Sequence, residues 1–142
     1  MRRLAENMSG IEGVRVPDVD GTRSARRVLT MEFIRGVKIS DVAAMEAAGI
    51  DRDVVARNFL RAIIKQVLVD GFFHADPHPG NVLVDARDGT IVFLDLGLIG
   101  QLNRDQRLDR LDLMWSVVQK DATGIAAVVT RMSTQRGTVD PD

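Results

Sequence analysis

Phe72-Phe73-His74-Ala75-Asp76-Pro77-His78-Pro79-Gly80-Asn81 holds both histidines of the 142-residue chain and two of its four prolines. Proline fixes φ, so this loop is rigid. Further on comes Asp95-Leu96-Gly97. A carboxylate and a carboxamide supply oxygen donors of the kind a hard cation such as Mg²⁺ accepts, which makes Asp95 and Asn81 candidate metal ligands. A second carboxylate, Asp76, can take or orient the proton of a hydroxyl. The imidazoles open a rival: His74, Asp76 and His78 as a zinc or dinuclear hydrolase cluster. The chain has no cysteine and only two histidines, so no third nitrogen donor is at hand. A plain polar turn is the third reading, but such a turn needs neither two prolines nor two histidines.

Chemistry of this kind needs elements that bring the residues together. Val82-Leu83-Val84 and Ile91 to Leu94 are apolar runs around the turn Asp85-Ala86-Arg87-Asp88-Gly89, which predicts a hairpin. Closing it sets Asn81 beside Asp95 at the open end, with Asp76 on the loop leading in. Upstream, Val55, Phe59, Ala62, Ile63 and Val67 share one helical face, widened by Leu60, Ile64 and Leu68. Asp51 caps that helix and Gly71 ends it. A shorter helix runs from a Ser40 cap through Ala48 to Gly49. Val14 to Pro17 and the apolar Arg27 to Ile34 predict a hairpin with a buried second strand, ending at Gly36. Downstream, Asn103 with Gln106 reads as a capping box before a helix whose stripe is Leu108, Leu111, Trp115 and Val118. Asp121 caps a last helix to about Met132, and residues 133–142 have little to bury.

Composition narrows the function classes. With 45% apolar and 27% charged residues, the chain is one domain's worth of protein. The absence of cysteine excludes disulfides, thiolate metal sites and cysteine nucleophiles. A net charge of −1 gives no overall field for nucleic acid, so no nucleic-acid partner is expected. Residues 1–40 carry +3 and the remainder −4. No apolar run has a membrane span's length, and no h-region follows Met1-Arg2-Arg3. A cytoplasmic chain, peripheral to a membrane at most, is expected. Arginine outnumbers lysine 16 to three, the lysines being Lys38, Lys65 and Lys120. That scarcity bears on phosphate binding, which often requires one particular lysine.

His74-x-Asp76-x-x-x-x-Asn81, then a hairpin, then Asp95-x-Gly97 is the order used in kinase-type phosphoryl transfer. The run from Gly71 to Asn81, with Phe93-Leu94-Asp95-Leu96-Gly97-Leu98-Ile99-Gly100, resembles the UbiB/AarF family of atypical kinase-like proteins, linked to ubiquinone and other isoprenoid-quinone or lipid metabolism. Leu29-Thr30-Met31-Glu32-Phe33-Ile34-Arg35-Gly36 resembles the strand and hinge between that family's lobes. The likeness runs from about Val14 to Met132. It implies an α+β fold: a mostly helical kinase-like large lobe with a catalytic-loop hairpin, preceded by the last hairpin and hinge of the small lobe. The divisions would be 1–36 for the small-lobe remnant and hinge, 37–132 for the large lobe and 133–142 for a frayed tail.

The resemblance also implies roles. Asp76 would be catalytic and Asn81 and Asp95 metal ligands. Glu32, Phe33 and Ile34 would meet adenine through hinge backbone, and His74, His78 and Gly97 would shape the loops. ATP and Mg²⁺ are the implied cofactors, and nucleotide the implied partner, with membrane-associated quinone or lipid pathway proteins beyond it. The family's Lys-x-Gly-Gln helix, alanine-rich loop and phosphate-binding lysine are absent from these residues. Lys38, Lys65 and Lys120 all follow the hinge, so none can substitute. The expectation is an incomplete kinase-like protein, weakly active or inactive without a small lobe. Two alternatives stand beside it: a small-molecule phosphotransferase of the aminoglycoside or choline kinase type, whose loop more often reads Gly-Asp-Leu, and a non-catalytic binding or regulatory half-kinase.

Overall fold

A computed structural model of the chain describes residues 2–94 and 97–133. It divides into two units, one reaching Gln101 and one starting at Leu102.

The first unit is built around a four-stranded sheet in the order β1-β5-β4-β2. Its centre is the predicted hairpin, β4 (Val82–Asp85) and β5 (Ile91–Phe93), antiparallel with Val82 opposite Phe93 and Val84 opposite Ile91. Every residue of β5 is buried, as a strand flanked on both edges should be. β2 (Gly36–Lys38) runs antiparallel along β4, from Gly36 opposite Asp85 to Lys38 opposite Leu83. β1 (Val14–Arg15) lies parallel to β5 on the other edge.

That pairing corrects the predicted N-terminal hairpin. Val14 to Pro17 does not pair with Arg27 to Ile34. The latter segment forms no strand: Glu32 N–H donates to Asp18 O at 2.8 Å, Asp20 N–H donates to Thr30 O at 2.9 Å, and Val19 bridges Met31. Nor is it buried, since Val28, Leu29, Met31 and Phe33 are exposed and only Ile34 is covered. Its residues are β-branched and apolar, but among the described residues no second layer covers them, and strand preference follows packing more than backbone.

Helix α1 (Arg2–Met8) supplies Leu4 and Met8 to the core, with Ile11, Val14, Val16, Met45, Val55, Ala62, Val82, Val84, Ile91 and Phe93. α2 (Val42–Ala47) is capped by Asp41 and not by Ser40, because the Asp41 carboxylate accepts from Ala44 N–H at 3.0 Å. α3 (Arg52–Ile64) is capped by Asp51 as predicted. Its buried residues are Val55 and Ala62, while Leu60 and Ile64 of the widened face are exposed. Beyond Ile64 the helix loosens into a π-helical stretch, Lys65–Asp70, whose buried residue is the polar Gln66. The region predicted as irregular then contains β3 (Phe72–His74), antiparallel to β6 (Ile99–Gln101), and a 3-10 turn at Pro79–Asn81.

The second unit is a helical pair. α4 (Arg104–Val118) opens on the predicted capping box, with Asn103 Oδ1 accepting from Gln106 N–H at 2.9 Å and Gln106 Oε1 accepting from Asn103 N–H at 3.0 Å. α5 (Ala122–Met132) is capped by Asp121. Arg131 joins them through Asp109 and Asp112. The stripe Leu108, Leu111, Trp115 and Val118 is exposed, contrary to a buried face. Of the tail predicted at 133–142, residues 134–142 lie outside the described residues. Among the described residues, no helix is long and apolar enough to cross a membrane.

Candidate phosphoryl-transfer loop

The loop hangs between two fixed points. At one end β3 pairs with β6, and Ala75 N–H donates to Leu98 O at 2.9 Å. At the other end Leu94 N–H donates to Asn81 O at 2.9 Å, extending the β4–β5 ladder by one step. Leu94 and Leu98 are thus hydrogen-bonded to the segment that carries Asp76 and Asn81. Asp95 itself lies outside the described residues. Gly97, described, belongs to the bend before β6.

Within the loop, Asn81 Nδ2 donates to Asp76 O at 3.1 Å and to Asp76 Oδ2 at 3.4 Å. With its amide nitrogen engaged, the Asn81 carboxamide oxygen has no hydrogen-bond partner among the described residues. The Asp76 side chain is 51% exposed. His78 Nδ1 accepts from Gly80 N–H at 2.9 Å, capping the 3-10 turn, and its Nε2 lies 3.9 Å from Asp76 Oδ2. His74 is buried, 5.8 Å from the Phe93 ring, and its Nδ1 accepts from Asp76 N–H at 3.1 Å. Phe93 in turn stacks on Phe59 of α3 at 5.9 Å, so a fully buried aromatic ring supports the loop from below.

These contacts count against the zinc-cluster reading: His74 is buried and its Nδ1 is engaged by the Asp76 main chain. Among the described residues, no three His, Asp or Glu side chains gather to hold a metal. The Asn81 carboxamide oxygen is of the kind a hard cation accepts, and the half-exposed Asp76 carboxylate beside it can take a proton.

Glu32, Phe33 and Ile34, the residues expected to form a hinge, stand elsewhere. Ala86 N–H donates to Arg35 O at 3.3 Å, which puts this segment at the turn end of the hairpin. The four residues of β4 separate it from Asn81, about 13 Å at the usual strand rise. The Glu32 carboxylate is held by the Arg15 guanidinium at 2.6 and 3.1 Å, which lowers its pKa. Phe33 is 84% exposed.

Two features escaped sequence reasoning. One is the Arg15–Asp85–Arg87 group, in which Asp85 was read only as a turn residue. Its fully buried carboxylate accepts from Arg87 at 2.6 and 3.0 Å, and this contact holds its pKa well below the usual range. The other is Gln66. Its signal was present: four residues after Ala62 and seven after Phe59, it is a polar residue on the apolar face.

A family model described as "ABC1 atypical kinase-like domain" matches residues 1–129. The chain is 42% identical over 120 residues to the protein "ACTIVITY OF BC1 COMPLEX KINASE 7, chloroplastic" of Arabidopsis thaliana, covering 84% of this chain and 17% of that protein. It is 37% identical over 134 residues to an uncharacterized protein of Synechocystis, covering 94% and 23%. It is 37% identical over 123 residues to "AarF domain-containing protein kinase 1" of Gallus gallus, covering 84% and 24%. The chain thus spans about a fifth of the length of these curated relatives.

Proposed function

The chain belongs to the ABC1 atypical kinase-like family, the UbiB/AarF proteins, and from that premise we propose that its loop handles Mg·ATP in an atypical kinase or ATPase. The observation that carries the reading is the Asp76–Asn81 contact on a loop hydrogen-bonded at Leu94 and Leu98 to both flanks of Asp95. Asp76 accepts or orients the proton of a hydroxyl or a water. Asn81, through its carboxamide oxygen, and Asp95 hold Mg²⁺, which neutralises phosphate charge when bound. The backbone of Glu32, Phe33 and Ile34 meets the adenine, and the strand-length separation from Asn81 suits a nucleotide with its base at the hinge and its phosphates at the loop. These roles make residues 37–132 the large lobe and residues 1–36 the small-lobe remnant and hinge.

The resemblance supports a link to isoprenoid-quinone or other lipid metabolism, at the periphery of a membrane. The lysines support weak turnover by these 142 residues alone. Lys65 Nζ is engaged by Asn7 O at 2.6 Å and by Asp70 at 2.8 Å, Lys38 lies on β2, and Lys120 follows α4. Phosphoryl transfer is largely positioning and electrostatics, so a site without a phosphate lysine binds better than it turns over.

Calorimetric titration with ATP, with and without Mg²⁺, tests the reading. Mg²⁺-dependent binding is expected, with Asp95→Asn weakening it by roughly 100-fold. Binding unchanged in Asp95→Asn would refute the role of Asp95. Robust hydrolysis, far above an Asp76→Ala control, would refute weak turnover.

A further inference from the structure

We infer that Gln66 is a positioning residue for Asp76, acting through His74; the inference rests on the role given to Asp76 above. Gln66 is 0% exposed. The π-helical stretch sets it beside β3, where its Oε1 accepts from His74 N–H at 2.9 Å. Its Nε2 has no hydrogen-bond partner among the described residues. An unpaired buried amide is a burden that an apolar side chain of the same length would avoid. Packing therefore does not explain a glutamine here, whereas its acceptor oxygen does.

From that oxygen three hydrogen bonds run to the loop. Gln66 holds the main chain of His74, the His74 ring holds the main chain of Asp76, and Asp76 O receives Asn81 Nδ2 at 3.1 Å. Pro77 and Pro79 have no N–H to offer. The Asp76 N–H is therefore one of few points by which this backbone can be gripped. An Nδ1 that accepts fixes the tautomer, leaving the ring hydrogen on Nε2. Without the Gln66 oxygen, the His74 N–H loses its partner and the backbone is held at this point by the β3–β6 pairing alone, so the path from α3 to the Asp76 N–H is loosened. The hydrophobic core loses nothing, so the effect falls on the loop and on what it binds.

Gln66→Met preserves length and apolar packing without the amide oxygen, and Gln66→Glu preserves an acceptor. Heteronuclear NMR on the full 142-residue chain is expected to find wild-type His74 as the Nε2–H tautomer. In Gln66→Met, amide exchange at His74 and Asp76 should rise about tenfold relative to Val84 and Phe93, the tautomers should mix, and Mg·ATP binding should weaken roughly tenfold. Gln66→Glu should restore all three. A wild-type Nδ1–H tautomer would overturn the inference. So would unchanged exchange in Gln66→Met, or unchanged Mg·ATP affinity in that variant while Asn81→Ala abolishes binding. Should Gln66→Met fail to fold, the wild-type tautomer and Gln66→Glu decide. A wild-type chain that binds no Mg·ATP refutes the proposed function, and exchange and tautomer then decide the role of Gln66 independently.

Discussion

Asp85 stands at the turn end of the β4–β5 hairpin, and Asp76 on the loop that leads into its open end. Asp85 is 1% exposed and accepts from Arg87 Nε at 3.0 Å, Arg87 Nη2 at 2.6 Å, Arg87 N–H at 3.0 Å and Arg15 at 3.4 Å. Arg15 also grips Glu32, so four charged side chains neutralise one another there. Asp76 is 51% exposed, and among the described residues only Asn81 Nδ2 at 3.4 Å and His78 Nε2 at 3.9 Å are near its oxygens. A carboxylate with its charge satisfied has no further demand for a cation, whereas one left half-solvated can accept a metal or a proton. The two ends teach that density of partners separates a structural acid from a candidate functional one.

The largest expected effect falls at the turn end. Asp85→Ala removes the common acceptor of two arginines and the local bond to Arg87 N–H, and should cost about 2–3 kcal/mol in urea unfolding. Arg87 remains largely solvated, which keeps the loss at the lower side of the range for broken buried pairs. Mg·ATP affinity of the folded fraction should fall far less than in Asp95→Asn, because the adenine contact proposed at Glu32 to Ile34 is made by main chain. A loss of affinity with intact stability would invert the comparison.

The same group sets the acid limb. Hydrogen bonding from Arg87 depresses the pKa of Asp85, and hydrogen bonding from Arg15 depresses that of Glu32. In the unfolded chain both protonate near their ordinary values, 3.8 and 4.5. The unfolded state then binds more protons than the folded one as pH falls, so stability is fully present above about pH 5 and declines below it. Chemical denaturation between pH 6 and pH 3 should show this, with a flatter decline in Asp85→Asn. An equally steep decline in that variant would place the acid sensitivity elsewhere.

What the sequence could reveal followed from range. The Asn103–Gln106 capping box, the Asp51 and Asp121 caps and the β4–β5 hairpin are decided within a few residues, and each was legible. The parallel pairing of β1 with β5 joins Val14 to Ile91 through two residues of strand, and no local signal carries it. The exposed Leu29 and Phe33 read as core because apolar patterning cannot report a missing layer. In the loop, residue types and spacing pointed to Asp76 and Asn81. Its support by Gln66 depends on a π-helical widening that 3.6-residue periodicity does not anticipate.

The smallest effect sharpens the contrast through two glycines. A Cβ on Gly36, at the turn end, would lie 2.6 Å from Val84 O, an atom fixed in the sheet. Gly36→Ala should therefore cost about 1 kcal/mol or more, read as a lowered Tm. A Cβ on Gly80, in the loop, would lie 2.5 Å from His78 Cε1, a ring 55% exposed and able to swing aside. Gly80→Ala also narrows the unfolded ensemble, which offsets part of the lost His78 cap. Its stability should stay within about 0.5 kcal/mol of wild type, while Mg·ATP binding weakens because His78 no longer closes the turn bearing Asn81. A Gly80→Ala protein that loses Tm as Gly36→Ala does, yet binds normally, would show that the loop is held for stability, and the distinction between the two ends would fail.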